Sequence, residues 1–153
     1  MAVLRWIFGM LLPFSFACPT MCWSCLSSCL CPSDSTIRCT SQSLTRVPGD
    51  IPADVQLLDL SRNLLQTVDP VSVQHLTNLL EVRLAHNKLS EIPNFGEVTS
   101  NITVLSLHHN SISEVHPVQL LLYTSLRTLD LGANQLNNIS PDSFPSTVPL
   151  HTL

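Results

Sequence analysis

The sequence contains few of the residues on which catalytic and nucleic-acid sites depend. Only 12% of its 153 residues are charged, the formal net charge is −4, and glycine occurs four times. No run of basic residues supplies the positive surface that a nucleic acid requires. A phosphate-binding glycine loop, an HExxH motif and a Ser/His/Asp motif are all missing from the sequence. These absences argue against an enzyme and a nucleic-acid-binding protein, and nothing indicates a cofactor or a small-molecule substrate.

Long apolar runs are also missing, apart from one near the N-terminus. The run Trp6 to Ala17 follows Arg5, has the length of a signal-peptide core, and is too short to span a bilayer. Small residues at 15 and 17 favour cleavage before Cys18, and small residues at 22 and 24 would permit cleavage before Cys25. We therefore predict a signal peptide at residues 1–17, with a cut as late as residue 24 as the second possibility. A buried N-terminal helix and a bacterial lipid-attachment signal are the alternatives.

What the sequence does contain is a repeat. The stretch Val55 to Val68 has apolar residues at its first, fourth, sixth, eleventh and fourteenth positions and Asn63 at its ninth. The same frame returns three times, and its asparagines are 24, 23 and 24 residues apart (63 to 87, 87 to 110, 110 to 134). This pattern is a leucine-rich repeat of the extracellular length. The three later copies begin at Leu79, Ile102 and Leu126.

The spacing of the frame predicts the fold. Positions four and six, such as Leu58 and Leu60, are two apart and therefore face the same side of a short strand. A repeat of roughly 24 residues has room for a strand and a loosely coiled return, but not for a long crossover helix. We expect an α/β-type leucine-rich-repeat solenoid with a curved parallel β-sheet on its concave side, irregular or short helical turns on its convex side, and a disulfide N-cap. In the second repeat, Pro93 and Gly96 predict a tighter, non-helical return.

The asparagines at the ninth position are predicted to form a ladder. Each one lies where the chain leaves the strand, and its amide can hydrogen-bond backbone groups that no sheet partner reaches. Ordinary surface turn residues are the alternative, but four asparagines in register favour the ladder. The ladder residues are Asn63, Asn87, Asn110 and Asn134.

All six cysteines lie between residues 18 and 39. Behind an export signal such a cluster indicates disulfides, and a zinc site is disfavoured because no histidine lies nearby. The spacing Cys25-x3-Cys29-x-Cys31-x7-Cys39 resembles the N-terminal cap of extracellular leucine-rich-repeat proteins. This resemblance implies the bridges Cys25–Cys31 and Cys29–Cys39 in a cap that covers the apolar end of the first coil. The two earlier cysteines are surplus: they leave with the signal peptide, bond to each other, or mark an unusual leader.

These patterns predict a cap and half-repeat at residues 25–47, four repeats at 55–149, and the start of a truncated fifth repeat at 150–153. In the half-repeat, Gln42 stands in the place of the ladder asparagine. Leu150 and Leu153 open the fifth repeat, which stops before its asparagine. We therefore expect a fragment of a longer repeat array, with Leu129 and Leu131 exposed at its open end.

The stretch Glu81 to Leu107 carries a closer resemblance, specifically in I-P-N-x-G followed by N-I-T-x-L-S-L. It resembles the start of the ectodomain in the LRIG family (leucine-rich repeats and immunoglobulin-like domains), and the likeness extends over roughly residues 25 to 153. The chain departs from the family at Cys18 and Cys22, and at His108 and His109, where the family has small residues. The resemblance implies a single-pass membrane protein that modulates growth-factor receptor signalling.

Two functions follow as expectations. The first is an extracellular protein-protein interaction module, the N-terminal fragment of a cell-surface modulator whose partner is a growth-factor receptor ectodomain or ligand. The alternative is a secreted matrix or growth-factor-binding leucine-rich-repeat protein that never has a membrane anchor. Both are secreted or lie on the extracellular face of the plasma membrane. Attachment to a membrane would come only through downstream segments.

Outward residues of successive strands should form columns on the concave face, and this face is the predicted contact surface. A flat face of mixed charge can recognise a protein, but it has no enclosed pocket for a small molecule. We predict protein contacts at Arg62, Arg83, His86 and His109. A metal or pH-sensing cluster of His86, His108 and His109 is less favoured than solvated surface residues, because no carboxylate or cysteine of these frames completes a ligand set. The columns are Asp59, Arg83, Ser106 and Asp130; Ser61, Ala85, His108 and Gly132; and Arg62, His86, His109 and Ala133.

Two sequons predict N-glycosylation, at Asn101-Ile-Thr103 and Asn138-Ile-Ser140. Pro141 follows the second sequon and should reduce its use. Neither asparagine belongs to the ladder, so a glycan at either position need not disturb the core.

Overall fold

A computed structural model of the chain describes residues 29–137, 139 and 141–153. Its six strands form a single sheet in chain order. The first pair is antiparallel, and each later pair is parallel. The predicted leucine-rich-repeat fold with a parallel sheet is confirmed. The strands are β1 (Leu30–Ser33), β2 (Thr36–Arg38), β3 (Leu57–Asp59), β4 (Glu81–Arg83), β5 (Val104–Ser106) and β6 (Thr128–Asp130).

Each of the strands β2 to β6 buries its middle residue. The register places these residues side by side in the order Ile37, Leu58, Val82, Leu105 and Leu129. All five are almost completely buried. Because side chains alternate along a strand, the two residues that flank each buried one face the other side of the sheet. We call that side, over β3 to β6, the outer sheet face.

The return limbs are short and contain few helical residues. Helix α1 (Pro70–Val73) is capped by Asp69, whose carboxylate accepts the N–H of Val71. Helix α1 and helix α2 (Pro117–Leu120) both begin with proline. Two 3-10 helices occupy Gly96–Asn101 and Pro141–Ser143. Among the described residues, no helix has the length and apolar character needed to cross a bilayer.

The prediction of a non-helical return in the second repeat was wrong. The six-residue 3-10 helix Gly96–Asn101 fills this return. Side chains stabilise its first turn, because Asn94 Oδ1 accepts the Gly96 N–H at 2.8 Å and Thr99 Oγ1 accepts the Phe95 N–H at 2.9 Å. Gly96 enters the helix with a φ of 65°, a conformation that glycine adopts without steric cost.

The frame asparagines bond the backbone of their own coil and that of the preceding coil. Asn110 Oδ1 accepts the Leu89 N–H at 3.0 Å, and its Nδ2 donates to Leu84 O at 3.0 Å and to Leu107 O at 2.9 Å. Leu84 O also accepts Asn87 Nδ2, and Leu107 O also accepts Asn134 Nδ2. Each of these carbonyls is therefore shared by two asparagines. This sharing ties neighbouring coils together.

The half-repeat does not supply a full substitute for the ladder asparagine. Gln42 is exposed, and its amide donates only to Thr40 O at 3.0 Å. The N–H groups of Gln42 and Leu44 instead donate to Asn63 Oδ1, both at 3.0 Å. The Gln42 side chain therefore makes only a local bond, whereas Asn63 connects the half-repeat to the first full coil.

The cap contains the bridge Cys29–Cys39 that the resemblance implied. Cys39 is completely buried, as expected of a residue in an interior leucine position. Cys31 is also disulfide-bonded. Its expected partner Cys25, the two surplus cysteines and the predicted signal peptide lie outside the described residues.

The last coil differs from the expectations in two ways. Leu129 and Leu131, expected to be exposed, are buried, because Thr152 pairs with Thr128 and accepts the Leu129 N–H at 3.1 Å. Ile139, which the frame places inside, is 54% exposed, since no described residue covers that part of the coil. Residues 150–152 thus lie beside β6 and make a single parallel bridge with it.

Candidate protein-contact surface

Two columns of side chains cover the outer sheet face. The fifth position of each repeat gives the expected column of Asp59, Arg83, Ser106 and Asp130. The third position gives a second column that the sequence reasoning missed, although the alternation of side chains along a strand could have revealed it. Its members are Leu57, Glu81, Val104 and Thr128.

The second column explains the orientation of Arg83. Glu81, a member of that column, pairs with Arg83: Glu81 Oε1 lies 2.7 Å from Arg83 Nε and 2.6 Å from Arg83 Nη2. Both side chains are partly exposed, so the ion pair contributes little to stability. It does hold the guanidinium against the sheet and balances part of its charge. Arg83 is therefore placed on the outer sheet face in a defined position.

The structure corrects the prediction that Asp59 is an exposed member of the first column. It is only 9% exposed, and its Oδ1 accepts the Ser61 N–H at 3.0 Å. Asp130 makes the same contact with the Gly132 N–H at 2.9 Å. An aspartate that bonds the backbone two residues later stabilises a turn. Asp59 therefore has a structural role and was wrongly predicted to be a free surface residue.

A row of residues with positive φ lies just before the ladder asparagines. The φ angles of Arg62, His86, His109 and Ala133 are 59°, 55°, 53° and 52°. This conformation costs a residue with a Cβ roughly 1–2 kcal/mol. It persists because the flanking backbone is fixed: the His86 N–H donates to His108 O at 2.8 Å, and the next residue in each turn is a ladder asparagine. Arg62, His86 and His109 are exposed, so the row presents their side chains to solvent.

His86, His108 and His109, for which a cluster was the less favoured reading, are in contact. The rings of His86 and His109 stack with centroids 4.4 Å apart and an interplanar angle of 20°. His108 lies edge-on to His109, with centroids 4.3 Å apart. Its Nδ1 is 3.5 Å from Asp130 Oδ1, a carboxylate that the sequence reasoning did not associate with the histidines. Across the described residues, no group of three or more His, Cys, Asp or Glu side chains has a geometry that would hold a metal ion.

The neighbours of His86 weaken its affinity for a proton. Loss of water around the imidazole is the largest cause that lowers the pKa of His86 below 6.5, and the charges of His109, Arg62 and His108 add to it. The lowered pKa favours the neutral form of His86. Arg62 and Arg83 add permanent positive charge to this surface.

Gly132 leaves space for His108. A Cβ at Gly132 would lie 2.6 Å from His108 Nδ1 and 3.1 Å from Asp130 Oδ1. Only a residue without a side chain allows the ring to occupy this position next to Asp130. Gly132 therefore determines where the His108 ring lies relative to Asp130.

The first predicted glycosylation site is separate from the outer sheet face. Asn101 is exposed at the end of the 3-10 helix Gly96–Asn101, and its Nδ2 donates to Thr77 O at 3.0 Å. Asn138 and Ser140 of the second sequon lie outside the described residues. The structure thus places Arg83 on the outer sheet face, and Arg62, His86 and His109 in the turns that follow its strands. We count these turns as part of the outer sheet face, and Asn101 lies elsewhere.

The sequence of this chain is similar to those of known leucine-rich-repeat proteins. The family described as "Leucine rich repeat" matches residues 39–94 and 100–153. Human leucine-rich repeats and immunoglobulin-like domains protein 1 is 39% identical over 72 residues, which are 47% of this chain and 6% of the relative. Mouse leucine-rich repeats and immunoglobulin-like domains protein 3 is 41% identical over 75 residues, 49% of this chain and 7% of the relative. The chain therefore spans less than a tenth of these curated relatives, and the predicted resemblance is confirmed.

One solved structure extends the likeness to most of the chain. A chain of the octameric complex of Latrophilin 3, Unc5D and FLRT2 (LRR) superposes with a TM-score of 0.72 and 27% sequence identity. The match covers 84% of this chain and 40% of that chain.

Proposed function

The chain belongs to the leucine-rich repeat family, and on that basis we propose that it is an extracellular protein-protein interaction module. Its outer sheet face binds the partner. The observation that carries this proposal is the row of Arg62, His86 and His109, which presents three side chains to solvent from three successive coils.

This surface is arranged before a partner arrives. Arg83 is held by Glu81, His86 stacks on His109, and His108 lies next to Asp130. Side chains that are already ordered lose less conformational entropy on binding, so more of the contact energy appears as affinity. Arginine is also one of the residues that contribute most to protein interfaces.

The charges indicate the complementary surface. Arg62 and Arg83 would meet carboxylates of the partner, and the stacked imidazoles would meet a planar or apolar side chain. Glu81 and Asp130 would meet basic groups at the margin of the contact. A folded protein domain offers such a mixture over an area of this kind, whereas a nucleic acid would be repelled by the acidic residues.

For the partner class, we propose a growth-factor receptor ectodomain or its ligand. This proposal is supported by the similarity to leucine-rich repeats and immunoglobulin-like domains proteins over about half of the chain. The leucine-rich-repeat protein FLRT2, in the structural neighbour, is part of an assembly with two other proteins. That neighbour supports a protein partner without identifying its class.

A binding screen tests the proposal. The full chain would be expressed in mammalian cells, recovered from the medium, and displayed as a multimer against a panel of growth-factor receptor ectodomains, growth factors and matrix proteins. Saturable binding to a receptor ectodomain or growth factor is the expected result. Binding to matrix proteins alone would overturn the proposed partner class, and failure of the folded protein to bind any of them would overturn the proposed function.

A further inference from the structure

A polar groove runs along the edge at which the strands begin. It has a volume of about 700 Å³ and crosses five successive coils. Each coil contributes the residue after its first frame position, and these are Gln56, Leu80, Thr103, Arg127 and His151. The groove is therefore a continuous feature of the repeat array. It lies along an edge of the sheet and is distinct from the outer sheet face.

Backbone hydrogen bonds make this edge rigid. Gln56 O accepts the N–H groups of Leu80 and Glu81, both at 2.9 Å, and Leu80 O accepts those of Thr103 and Val104 at 2.8 and 3.2 Å. Because each of these carbonyls already accepts two donors, the backbone has little capacity to bind a ligand. Recognition in the groove depends on side chains.

The lining side chains are mostly hydroxyls and amides. Thr77, Thr124 and Ser125 line the groove, and Arg127 supplies guanidinium donors. Leu80, which is 42% exposed, provides an apolar surface between them. Sugars present hydroxyl groups at their edges and C–H groups on their faces, and this combination suits both kinds of side chain. Among the described residues that line the groove, none is acidic.

Asn101 connects this groove to the sequon. It lines the groove, is exposed, and begins the sequon that ends at Thr103. Its Nδ2 donates to Thr77 O at 3.0 Å, and Thr103 Oγ1 donates to Leu80 O at 3.1 Å. The amide nitrogen that would carry a glycan is therefore held at the wall of a polar groove.

We propose that Asn101 carries an N-linked glycan whose first sugars lie in this groove and contact Thr124, Ser125 and Arg127. The inference rests on the secretory route of the proposed function. A lipid-diphosphate-linked oligosaccharide is the donor. Nδ2 forms a bond to the sugar C1, the C1–O bond to the diphosphate breaks, the lipid diphosphate leaves with the electron pair, and one amide proton is released. The second amide hydrogen remains to donate to Thr77 O.

The glycan also determines which surface stays open. Sugars bound in the groove would cover the edge at which the strands begin and leave the outer sheet face accessible. A protein partner would then be restricted to the surface that carries Arg62 and His109.

The first step of the test is occupancy. The full chain would be secreted from mammalian cells and the peptide that contains Asn101 analysed by mass spectrometry with and without peptide-N-glycosidase F. Most molecules should carry the glycan, and Asn101→Gln should remove it. Protein recovered from the medium without a glycan at Asn101 would overturn this inference and leave the extracellular module proposal intact.

The second step is the position of the sugars. Ser125→Cys would place a thiol in the groove, and its rate of maleimide labelling would be compared between the glycosylated chain and Asn101→Gln. Labelling should be at least several-fold slower in the glycosylated chain. As a matched control, Glu97→Asn creates a sequon with Thr99, so Glu97→Asn with Asn101→Gln moves the glycan out of the groove and should restore fast labelling. Ser90→Cys, outside the groove, should label equally in all of them.

Equal labelling of Ser125→Cys with and without the Asn101 glycan would overturn the seating of the sugars. Slow labelling with the glycan at position 97 would also overturn it, since protection would then not depend on the groove. Neither result affects partner binding by the outer sheet face, which is measured separately, so the two proposals fail independently.

Discussion

His86 and His109 stack face to face with ring centroids 4.4 Å apart, although 23 residues (86 to 109) separate them in the sequence. Both have a positive φ and both precede a ladder asparagine. The repeat therefore places two imidazoles in contact on the surface through backbone geometry alone. Desolvation first, and the charge of His109 second, lower the pKa of His86, which gives this surface a dependence on pH.

We expect the protein to lose stability as the pH falls below about 6.5. The pKa of His86 is lower in the folded chain than in the unfolded chain. In this window the unfolded state binds a proton before the folded state does, so the free energy of unfolding decreases. Urea midpoints at about pH 7.5 and about pH 5 should differ more in the wild type than in His86→Gln. His109→Gln should reduce the difference in part, and an unchanged difference in His86→Gln would contradict this prediction.

Gly132→Ala should displace the His108 ring. The new Cβ would lie 2.6 Å from His108 Nδ1, so the ring must move away from Asp130. Because the ring is partly exposed, the loss of stability should be below about 1 kcal/mol. Two-dimensional NMR should show altered His108 ring resonances and a lost contact with Asp130. Gly49→Ala, with no atom within 4 Å of the new Cβ, is the control, and an unmoved His108 in Gly132→Ala would refute the close contact.

Asn110→Leu should destabilise the protein by about 2 kcal/mol. The Leu89 N–H would be left buried without an acceptor, whereas Leu84 O and Leu107 O would each keep one asparagine donor. Urea unfolding measures the change. Asn78→Leu, at an exposed position, should stay within about 0.5 kcal/mol of the wild type. Equal stability of the two variants would show that the ladder does not support the fold.

Tyr123→Phe should remove about 1–2 kcal/mol of stability. The Tyr123 hydroxyl is buried and donates to Pro93 O at 2.6 Å, which connects the return limbs of the second and third repeats. Burial raises the pKa of Tyr123 well above 10.0. The unfolded chain therefore loses this proton first as the pH rises above 10, and stability falls. Urea midpoints should decrease less above that pH in Tyr123→Phe, and equal alkaline losses in both proteins would argue against this role.

Much of the fold could be predicted because the repeat imposes two strict periods. Positions four and six, such as Leu58 and Leu60, must face inward, and the spacing of about 24 residues brings them together in successive coils. The same logic brought His86, His108 and His109 together. The pair of Arg83 and Glu81 was missed, although the two residues are two apart on a strand and so face the same side.

The remaining features depend on contacts that a frame does not encode. Asp59 is buried because its carboxylate closes a turn, and a pattern of outward positions gives no sign of that. The 3-10 helix in the second repeat depends on the side chains of Asn94 and Thr99. Ile139 satisfies the frame but is exposed, because burial requires a neighbouring coil as well as the right position.

The most direct measurement is the affinity of the outer sheet face for the partner recovered in the binding screen. Arg83→Glu with His109→Glu should weaken binding at least about tenfold, the effect of losing roughly 1.4 kcal/mol of contact energy. Val71→Glu with Val118→Glu, at exposed positions of α1 and α2, should bind like the wild type. All three proteins should be secreted and should unfold at similar temperatures. Unchanged binding by the folded Arg83→Glu, His109→Glu protein would contradict a contact surface on the outer sheet face. Loss of binding only in the Val71→Glu, Val118→Glu protein would contradict it as well.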